Sequence, residues 1–204
     1  MPAQNSSPSH SQGPRRSPTS HQAIVSAAVE LAGELPYSRL SIEAIAARAG
    51  VGKQTIYRWW PSKAAVVLDA VLTWSQGDDG DLQLPDTGDL ETDLRAVLHA
   101  TVDELNDPHY DRPMRSLTVA IVEDAQLAAE YGERLERPLH QAKKARLHRA
   151  QLAGELDPEA DLDVAVEMIF GPIMNRWMTR SGPLTHAYAD AVLATALAGL
   201  RRRG

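Results

Sequence analysis

Apolar side chains recur at spacings of three and four residues along most of this 204-residue chain. The first clear stripe begins at Ile24 and continues through Ala27, Ala28 and Leu31 to Leu35. This spacing places the side chains on one face of an α-helix. The β-branched residues stand singly on such stripes and not in the alternating runs that are typical of strands. The pattern therefore predicts an all-α protein of about nine helices.

Composition divides the chain into three parts. Residues 1–18 are rich in serine, proline and glutamine, and because such a segment cannot bury a core we expect a disordered tail. Residues 19–65 are expected to form a three-helix head, and residues 66–204 a larger helical body. The segment 75–88 is rich in glycine and aspartate, and is expected to be a loop that separates most of the body from the head.

Charge is distributed unevenly between these parts. The formal net charge is −6, yet residues 1–63 contain seven Lys and Arg against three acidic residues. A basic head on an acidic body predicts that the head meets a polyanion. The chain has no cysteine and no apolar run of about 18 residues, so neither a cysteine-based zinc site nor a membrane span is expected. His140 and His148 lie eight positions apart, too far to share one metal ion, so no metal site is expected. The N-terminus lacks the apolar stretch of a secretory signal, and we therefore expect a cytoplasmic protein.

The segment Gly50–Trp60, GVGKQTIYRWW, contains the glycines, lysine and threonine of a phosphate-binding loop. One hypothesis is a nucleotide-binding protein that uses Gly52 and Lys53. That chemistry requires glycine at position 47 and Ser or Thr after the lysine, where this chain has Ala47 and Gln54. No Ser-His-Asp, HExxH or glycine-rich cofactor motif is found, so neither an enzyme nor a cofactor is expected. A helical protein-interaction module without DNA activity is a further alternative.

Two short helices joined by a glycine turn predict a helix-turn-helix, whose second helix enters the major groove of DNA. Ser41 can cap the first of these helices, and Gly50 can take the left-handed conformation that ends it. Lys53 and Gln54 open the second helix and have side chains that read guanine and adenine. The other candidates for contacts with DNA are Thr55, Tyr57, Arg58, Trp59 and Lys63.

Some of these assignments have a second interpretation. Arg58 can be a solvated charge, and Trp59 can pack against the core instead of contacting the DNA backbone. Arg15 and Arg16, in the tail, can enter a minor groove as a flexible arm or add only weak nonspecific attraction.

The stretch LSIEAIAARAGVGKQTIYRWWPSKAAVVLDAV resembles the N-terminal DNA-binding region of the tetracycline-repressor (TetR) family of bacterial transcription regulators. The resemblance covers residues 20–72, and its core is the pattern Thr-Ile-Tyr-x-x-aromatic-x-x-Lys from Thr55 to Lys63. It implies a homodimer that binds a partly palindromic double-stranded DNA operator, usually as a repressor, and is released by a small-molecule effector. The family commonly has serine at the position of Gly52, so a side-chain helix cap is missing here. The implied phosphate contacts are Ser41, Thr55, Tyr57 and Lys63, and the implied base-reading positions are Gly52, Lys53 and Gln54.

The last two long helices carry apolar stripes, and two such helices from each of two chains can form a four-helix interface. Burial by a two-fold related copy would explain both stripes at once. The residues expected at this dimer interface are Ile169, Ile173, Tyr188, Val192, Leu193, Ala196, Leu197 and Leu200.

An effector pocket is expected inside the body, since methionine and tryptophan make adaptable apolar walls. For each candidate, ordinary core packing is the alternative. The expected lining residues are Trp74, His99, Val102, Met114, Leu117, Met168, Met174 and Trp177. The sequence does not identify the effector.

Overall fold

The structure, a computed structural model, describes residues 18–75 and 83–201, and these residues contain helices and no β-strand. A 3₁₀ turn, Tyr37–Arg39, precedes the second helix, and a π-helical turn, Gly132–Glu136, joins α7 to α8. The α-helices are α1 (Pro18–Glu34), α2 (Ile42–Ala49), α3 (Lys53–Tyr57), α4 (Lys63–Ser75), α5 (Leu90–Asn106), α6 (Pro108–Glu123), α7 (Ala125–Tyr131), α8 (Arg137–Leu152), α9 (Leu162–Thr179) and α10 (His186–Leu200).

The helices α7 and α8 and the π turn between them form one continuous helix. Counted in this way, the described residues contain nine separate helices, and the predicted all-α fold is confirmed. The predicted tail up to residue 17, with Arg15 and Arg16, lies outside the described residues, as do residues 76–82 of the predicted loop.

The head forms because α1 packs against both α2 and α4. Ile24, Ile45 and Ile56, one from each of the first three helices, are completely buried together. The fourth helix is buried along most of its length, and it also packs against α6 in the body. Head and body therefore share α4 as a common structural element.

The body is built from α5 to α10, with α5 packed on α6 and α10, and α9 packed on α8 and α10. Aspartate side chains accept hydrogen bonds from backbone N–H groups at the starts of four of these helices, which fixes where each begins. The four capping residues are Asp89, Asp107, Asp124 and Asp161.

No helix in the described ranges is long and apolar enough to span a bilayer.

A buried ion pair fixes the segment before α5 to α8. The Nη2 atom of Arg146 donates to Asp93 Oδ2 at 2.7 Å, and both residues are almost completely buried. The Nε atom of Arg146 also donates to the carbonyl oxygen of Pro85 at 3.0 Å. The hydroxyl of Thr87 donates to the other oxygen of Asp93 at 2.7 Å, so each charge has several partners.

Candidate DNA-binding surface

The turn between α2 and α3 has the geometry of a helix-turn-helix. Ser41 caps α2, because its hydroxyl oxygen accepts a hydrogen bond from the Ala44 N–H at 3.1 Å. Gly50 ends α2 with φ 68°, in the left-handed region that glycine adopts without steric cost. The N–H of Val51 then donates to Ala46 O at 3.0 Å, which closes the turn. Both sequence predictions, the cap and the glycine turn, are confirmed in this geometry.

The third helix presents one polar face to solvent. Lys53, Gln54 and Arg58 are exposed, and the Tyr57 side chain is 51% exposed. Helical spacing places these four residues on one side of α3, opposite the fully buried Ile56. Thr55 is half-buried, and Gly52 begins the helix without a side-chain cap, as the sequence predicted. The predicted base-reading residues therefore share an exposed surface.

Most cations of the head already have partners within the chain. Lys53 Nζ lies 3.0 Å from Glu43 Oε1, and both side chains are mainly exposed. The pKa of Glu43 lies below its usual value, first because of a backbone hydrogen bond and then because of Lys53. Arg58 has no ion pair among the described residues. Lys53 must leave Glu43 before it can contact DNA fully, whereas Arg58 is available.

Lys63 is engaged inside the head. Its ammonium donates to the carbonyl oxygens of Tyr37 and Leu40, both at 2.8 Å, and lies 4.2 Å from the centre of the Tyr37 ring. These bonds hold the 3₁₀ turn that leads into α2. In this structure Lys63 therefore supports the turn, a role that differs from the phosphate contact expected from the sequence.

Trp59 belongs to a cluster of three rings. Its ring centre lies 5.1 Å from that of His21 and 5.3 Å from that of Trp60. Trp60 is buried and Trp59 is half-buried. The structure therefore favours packing over DNA contact for Trp59, the second of its two interpretations.

No two of the predicted pocket residues whose side chains are described line the same one of the three clefts described in this structure. The side chain of Trp74 lies outside the described residues. His99 lies between α5 and α10, where its Nε2 atom is 2.9 Å from Asp190. Met168 is 42% exposed, on the outer side of α9. Of the remaining candidates, only Trp177 lines one of the three clefts described in this structure. The remaining candidates, all packed into the core or against it, are Val102, Met114, Leu117, Met174 and Trp177.

Six of the eight predicted interface residues are buried within the single chain, where they pack α9 and α10 into the core. Because these six residues are already buried in one chain, almost none of their surface is left for a second copy to cover, in contrast to the expectation from the sequence. Tyr188 and Val192 are half-buried. The six buried residues are Ile169, Ile173, Leu193, Ala196, Leu197 and Leu200. The exposed apolar positions on the two helices are instead Val164, Met168, Met178, Ala187, Ala191, Ala194 and Ala198.

Sequence reasoning did not single out Arg39. This residue ends the 3₁₀ turn two positions before the Ser41 cap, is exposed, and has no ion pair among the described residues. A cation at this position can add to the positive potential beside α2. Its signal in the sequence was only its proximity to Ser41.

Two family models match the chain: "Bacterial regulatory proteins, tetR family" over residues 24–70, and "Tetracyclin repressor-like, C-terminal domain" over residues 84–196. The sequence is 32% identical to the HTH-type transcriptional regulator YdeS of Bacillus subtilis, over 93% of each protein. It is 29% identical to the DNA-binding transcriptional repressor TetR of Mycobacteroides abscessus, over 93% of this chain and 97% of that protein. The fold is similar to that of the TetR family transcription regulator SCO0332, with a TM-score of 0.72 and 29% identity, over 90% of this chain and 99% of that one.

These matches agree with the geometry of both parts of the molecule. The N-terminal match covers the capped α2, the glycine turn and the exposed face of α3. The C-terminal match alone spans more than half of the chain. The chain therefore belongs to the TetR family of DNA-binding transcriptional regulators.

Proposed function

We propose that this protein is a ligand-responsive repressor that binds a partly palindromic operator as a homodimer. The observation that carries the proposal is the face of α3, where Lys53, Gln54, Tyr57 and Arg58 are exposed together while Ile56 anchors the helix in the core. A helix held in this way can enter the major groove with its first turn against the base edges.

Each exposed side chain has a role that its chemistry suits. Gln54 hydrogen bonds to adenine, and Lys53 reaches guanine once it has left Glu43. The Ser41 hydroxyl oxygen accepts the Ala44 N–H, and its own hydrogen can donate to a phosphate. Tyr57 and Thr55 contact neighbouring phosphates and fix the register of the helix.

A second copy is proposed to pack against the exposed side of α9 and α10. Val164, Met168 and Met178 are each at least 42% exposed on α9, at positions that lie along one side of the helix. Small alanine residues on α10 allow close approach of a second helix. Two-fold symmetry then sets two copies of α3 about one helical turn of DNA apart, roughly 34 Å.

The effector is proposed to act through α4. His21 on α1 contacts Asp69 on α4 at 2.9 Å, and Asp69 contacts Arg134 of the π turn at 2.8 Å. A ligand that prefers a rearranged body would move this linked set and change the spacing of the two α3 helices. Val102 and Leu117 are closely packed here, so an apolar or amphipathic effector would select a more open body.

The test is selection of binding sites from random DNA, followed by fluorescence anisotropy over a range of salt concentrations. We expect a two-fold symmetric sequence to be enriched. Gln54→Ala should relax preference at one base position in each half-site, and Lys53→Ala should weaken binding by about tenfold or more, since a good base contact contributes about 1–3 kcal/mol. Lys144→Ala is the matched control, since its exposed ion pair with Asp163 is remote from α3. Absence of enrichment, or wild-type binding by both α3 variants, would refute the proposal.

A further inference from the structure

The arginines of this protein differ in how their charge is balanced. Eight of the thirteen arginines in the described residues have a carboxylate oxygen within 4 Å, and five do not. Two of the five, Arg39 and Arg58, belong to the head. The other three, Arg112, Arg176 and Arg180, line a single cleft in the body. In a chain with more acidic than basic residues, this concentration of unbalanced positive charge needs an explanation.

The cleft lies where the α5–α6 turn, the start of α6, the end of α9 and the α9–α10 connection meet. Its volume is about 440 Å³. We name it the arginine cleft, after its four arginine residues. Asp111 is the one carboxylate among its described lining residues, so the lining carries a net positive charge. The full lining is Leu105, Asn106, Pro108, Asp111, Arg112, Arg115, Arg176, Trp177, Arg180, Gly182, Pro183 and Leu184.

Two of the four arginines, Arg176 and Arg115, are held in fixed positions, and of these only Arg115 is paired with a carboxylate. The Arg176 guanidinium lies 3.4 Å from the centre of the Tyr188 ring, and it donates to the carbonyl oxygen of Pro183 at 3.3 Å. Arg115 donates to Asp111 at 2.7 Å and to Trp177 O at 2.8 Å. Asp111 also accepts the indole N–H of Trp177 at 2.6 Å, which shares its charge between two donors.

The other two arginines are freer. Among the described residues, Arg112 donates only to the carbonyl oxygen of Gly33, at the end of α1. Arg180 is exposed, follows α9 with φ 52°, and has no hydrogen bond or ion pair to another described residue. Their guanidinium groups can therefore turn toward a ligand at little cost in broken contacts.

We propose that the arginine cleft binds a small organic anion, a carboxylate or a phosphate monoester carried on an aromatic or aliphatic frame. Arginine presents a planar fork of N–H donors that matches either oxyanion in a bidentate manner. Trp177, Pro183 and Leu184 provide an apolar wall for the frame. A volume of about 440 Å³ suits a molecule of small-metabolite size.

The position of the cleft gives the anion a route to the head. A second cleft, which shares Arg112, Arg115 and Arg180 with the first, reaches the end of α1 and Tyr37. An anion that recruits Arg112 competes with the Gly33 carbonyl, and thereby loosens a contact between body and head. This consequence rests on the proposed operator binding, whereas the binding site itself does not.

Binding is tested without DNA, by isothermal titration calorimetry with 1-naphthoate, phenyl phosphate and the uncharged 1-naphthylmethanol. We expect an anion to bind with a Kd below about 1 mM and the neutral alcohol to bind at least about tenfold more weakly. Arg176→Gln/Arg180→Gln should weaken anion binding by about tenfold or more. Arg39→Gln, an exposed arginine that also lacks an ion pair, is the matched control and should bind as the wild type does.

A second variant separates loss of binding from loss of folding. Arg180→Gly removes the guanidinium at a left-handed position where glycine is favoured, so the fold should be retained. The proposal is overturned if neither anion binds with a Kd below about 10 mM, if the neutral alcohol binds equally well, or if binding survives in both variants.

The coupling to DNA is tested with operator DNA present, where a saturating anion should weaken DNA binding and Arg180→Gly should reduce that effect. Unchanged DNA affinity would overturn the coupling alone, and failure of the protein to bind any DNA would count against the proposed function and not against the cleft.

Discussion

At the scale of single residues, Lys63 illustrates how a charge can serve the fold. Its ammonium satisfies two backbone carbonyls and packs on an aromatic ring. We expect Lys63→Met to lower the free energy of unfolding by about 1–3 kcal/mol, because both carbonyls lose a charged donor. Urea unfolding followed by circular dichroism measures this loss. Lys144→Met, which breaks only an exposed pair, should cost less than about 1 kcal/mol, and equal losses in the two variants would contradict the structural role.

Glu43 is expected to weaken DNA binding in the wild-type protein. It holds Lys53 in an exposed ion pair, and in the proposed complex its negative charge would stand close to DNA phosphates. Glu43→Gln should therefore raise operator affinity by about two- to tenfold, with a steeper dependence on salt as Lys53 contacts DNA fully. Anisotropy titrations at several salt concentrations provide the measurement. Glu159→Gln, an exposed change in the connection before α9, is the control, and an equal gain there would mean that only net charge matters.

The sequence predicted those residues whose roles depend on near neighbours. Ser41 bonds to a residue three positions away, and Gly50 closes a turn within four. Lys63 was different, because its partners Tyr37 and Leu40 lie 26 and 23 positions earlier. A lysine in that motif carries no signal that separates a phosphate from a distant carbonyl, so only the folded geometry could reveal its role.

At the scale of elements, two glycines in the helix-turn-helix should respond oppositely to substitution. Gly50 has φ 68°, and Gly50→Ala should lower the free energy of unfolding by about 1 kcal/mol because a Cβ is strained there. Gly52 has φ −77° and no side-chain cap, so Gly52→Ser should be neutral or stabilising by a few tenths of a kcal/mol. Apart from the adjoining backbone, no described atom lies within 4 Å of an added Cβ at either site, so steric crowding does not contribute to the comparison. Thermal unfolding of the two variants is the test, and a change of the same sign in both would refute it.

The buried pair of Arg146 and Asp93 should dominate the stability of the α5–α8 contact. Burial raises the pKa of Asp93, but hydrogen bonds from Arg146 and Thr87 more than offset this and leave the pKa below its usual value. Asp93→Asn leaves the buried guanidinium with only the partly exposed Asp86, 3.5 Å away, as its counter-charge and should cost about 3–5 kcal/mol at pH 7. Asp163→Asn removes a carboxylate that is 55% exposed, so it is the control and should cost less than about 1 kcal/mol.

The same variant has a defined pH dependence. Because the folded-state pKa of Asp93 is lowered, its carboxylate stabilises the protein above the unfolded-state pKa of about 3.9, and this contribution is lost as the pH falls through the folded-state value. The difference in unfolding free energy between wild type and Asp93→Asn should therefore shrink below about pH 4. Urea unfolding between neutral and acidic pH tests this, and a constant difference would contradict it.

The apolar patterns predicted where the helices lie better than they predicted what buries each helix face. The stripes on α9 and α10 correctly indicated helices, but Ile169 and Leu197 proved to be core residues of one chain. Both sides of α9 carry apolar residues, since Met168 and Val164 are exposed opposite that core. An apolar stripe reports burial without saying whether the burying surface belongs to the same chain or to a second copy.

At the scale of the whole molecule, the proposed dimer makes operator affinity depend on a surface far from α3. Each half-site then binds with the effective concentration that the linked second head provides. Met168 lies in the exposed stripe of α9, and its methyl group is 4.0 Å from where a Cβ would stand on Gly199 of α10. The proposed contact would bury a charge placed at this position, which is costly unless the charge is paired.

We therefore expect Met168→Glu to convert the dimer to a folded monomer and to weaken operator binding by about 100-fold or more. Sedimentation velocity gives the oligomeric state, and circular dichroism checks that the helices remain. Val122→Glu is the matched control, because Val122 is 83% exposed on α6, outside the stripe, and its substitution should leave the dimer intact. A dimeric Met168→Glu protein would place the interface elsewhere, whereas a monomer that kept full operator affinity would show that one head suffices for recognition.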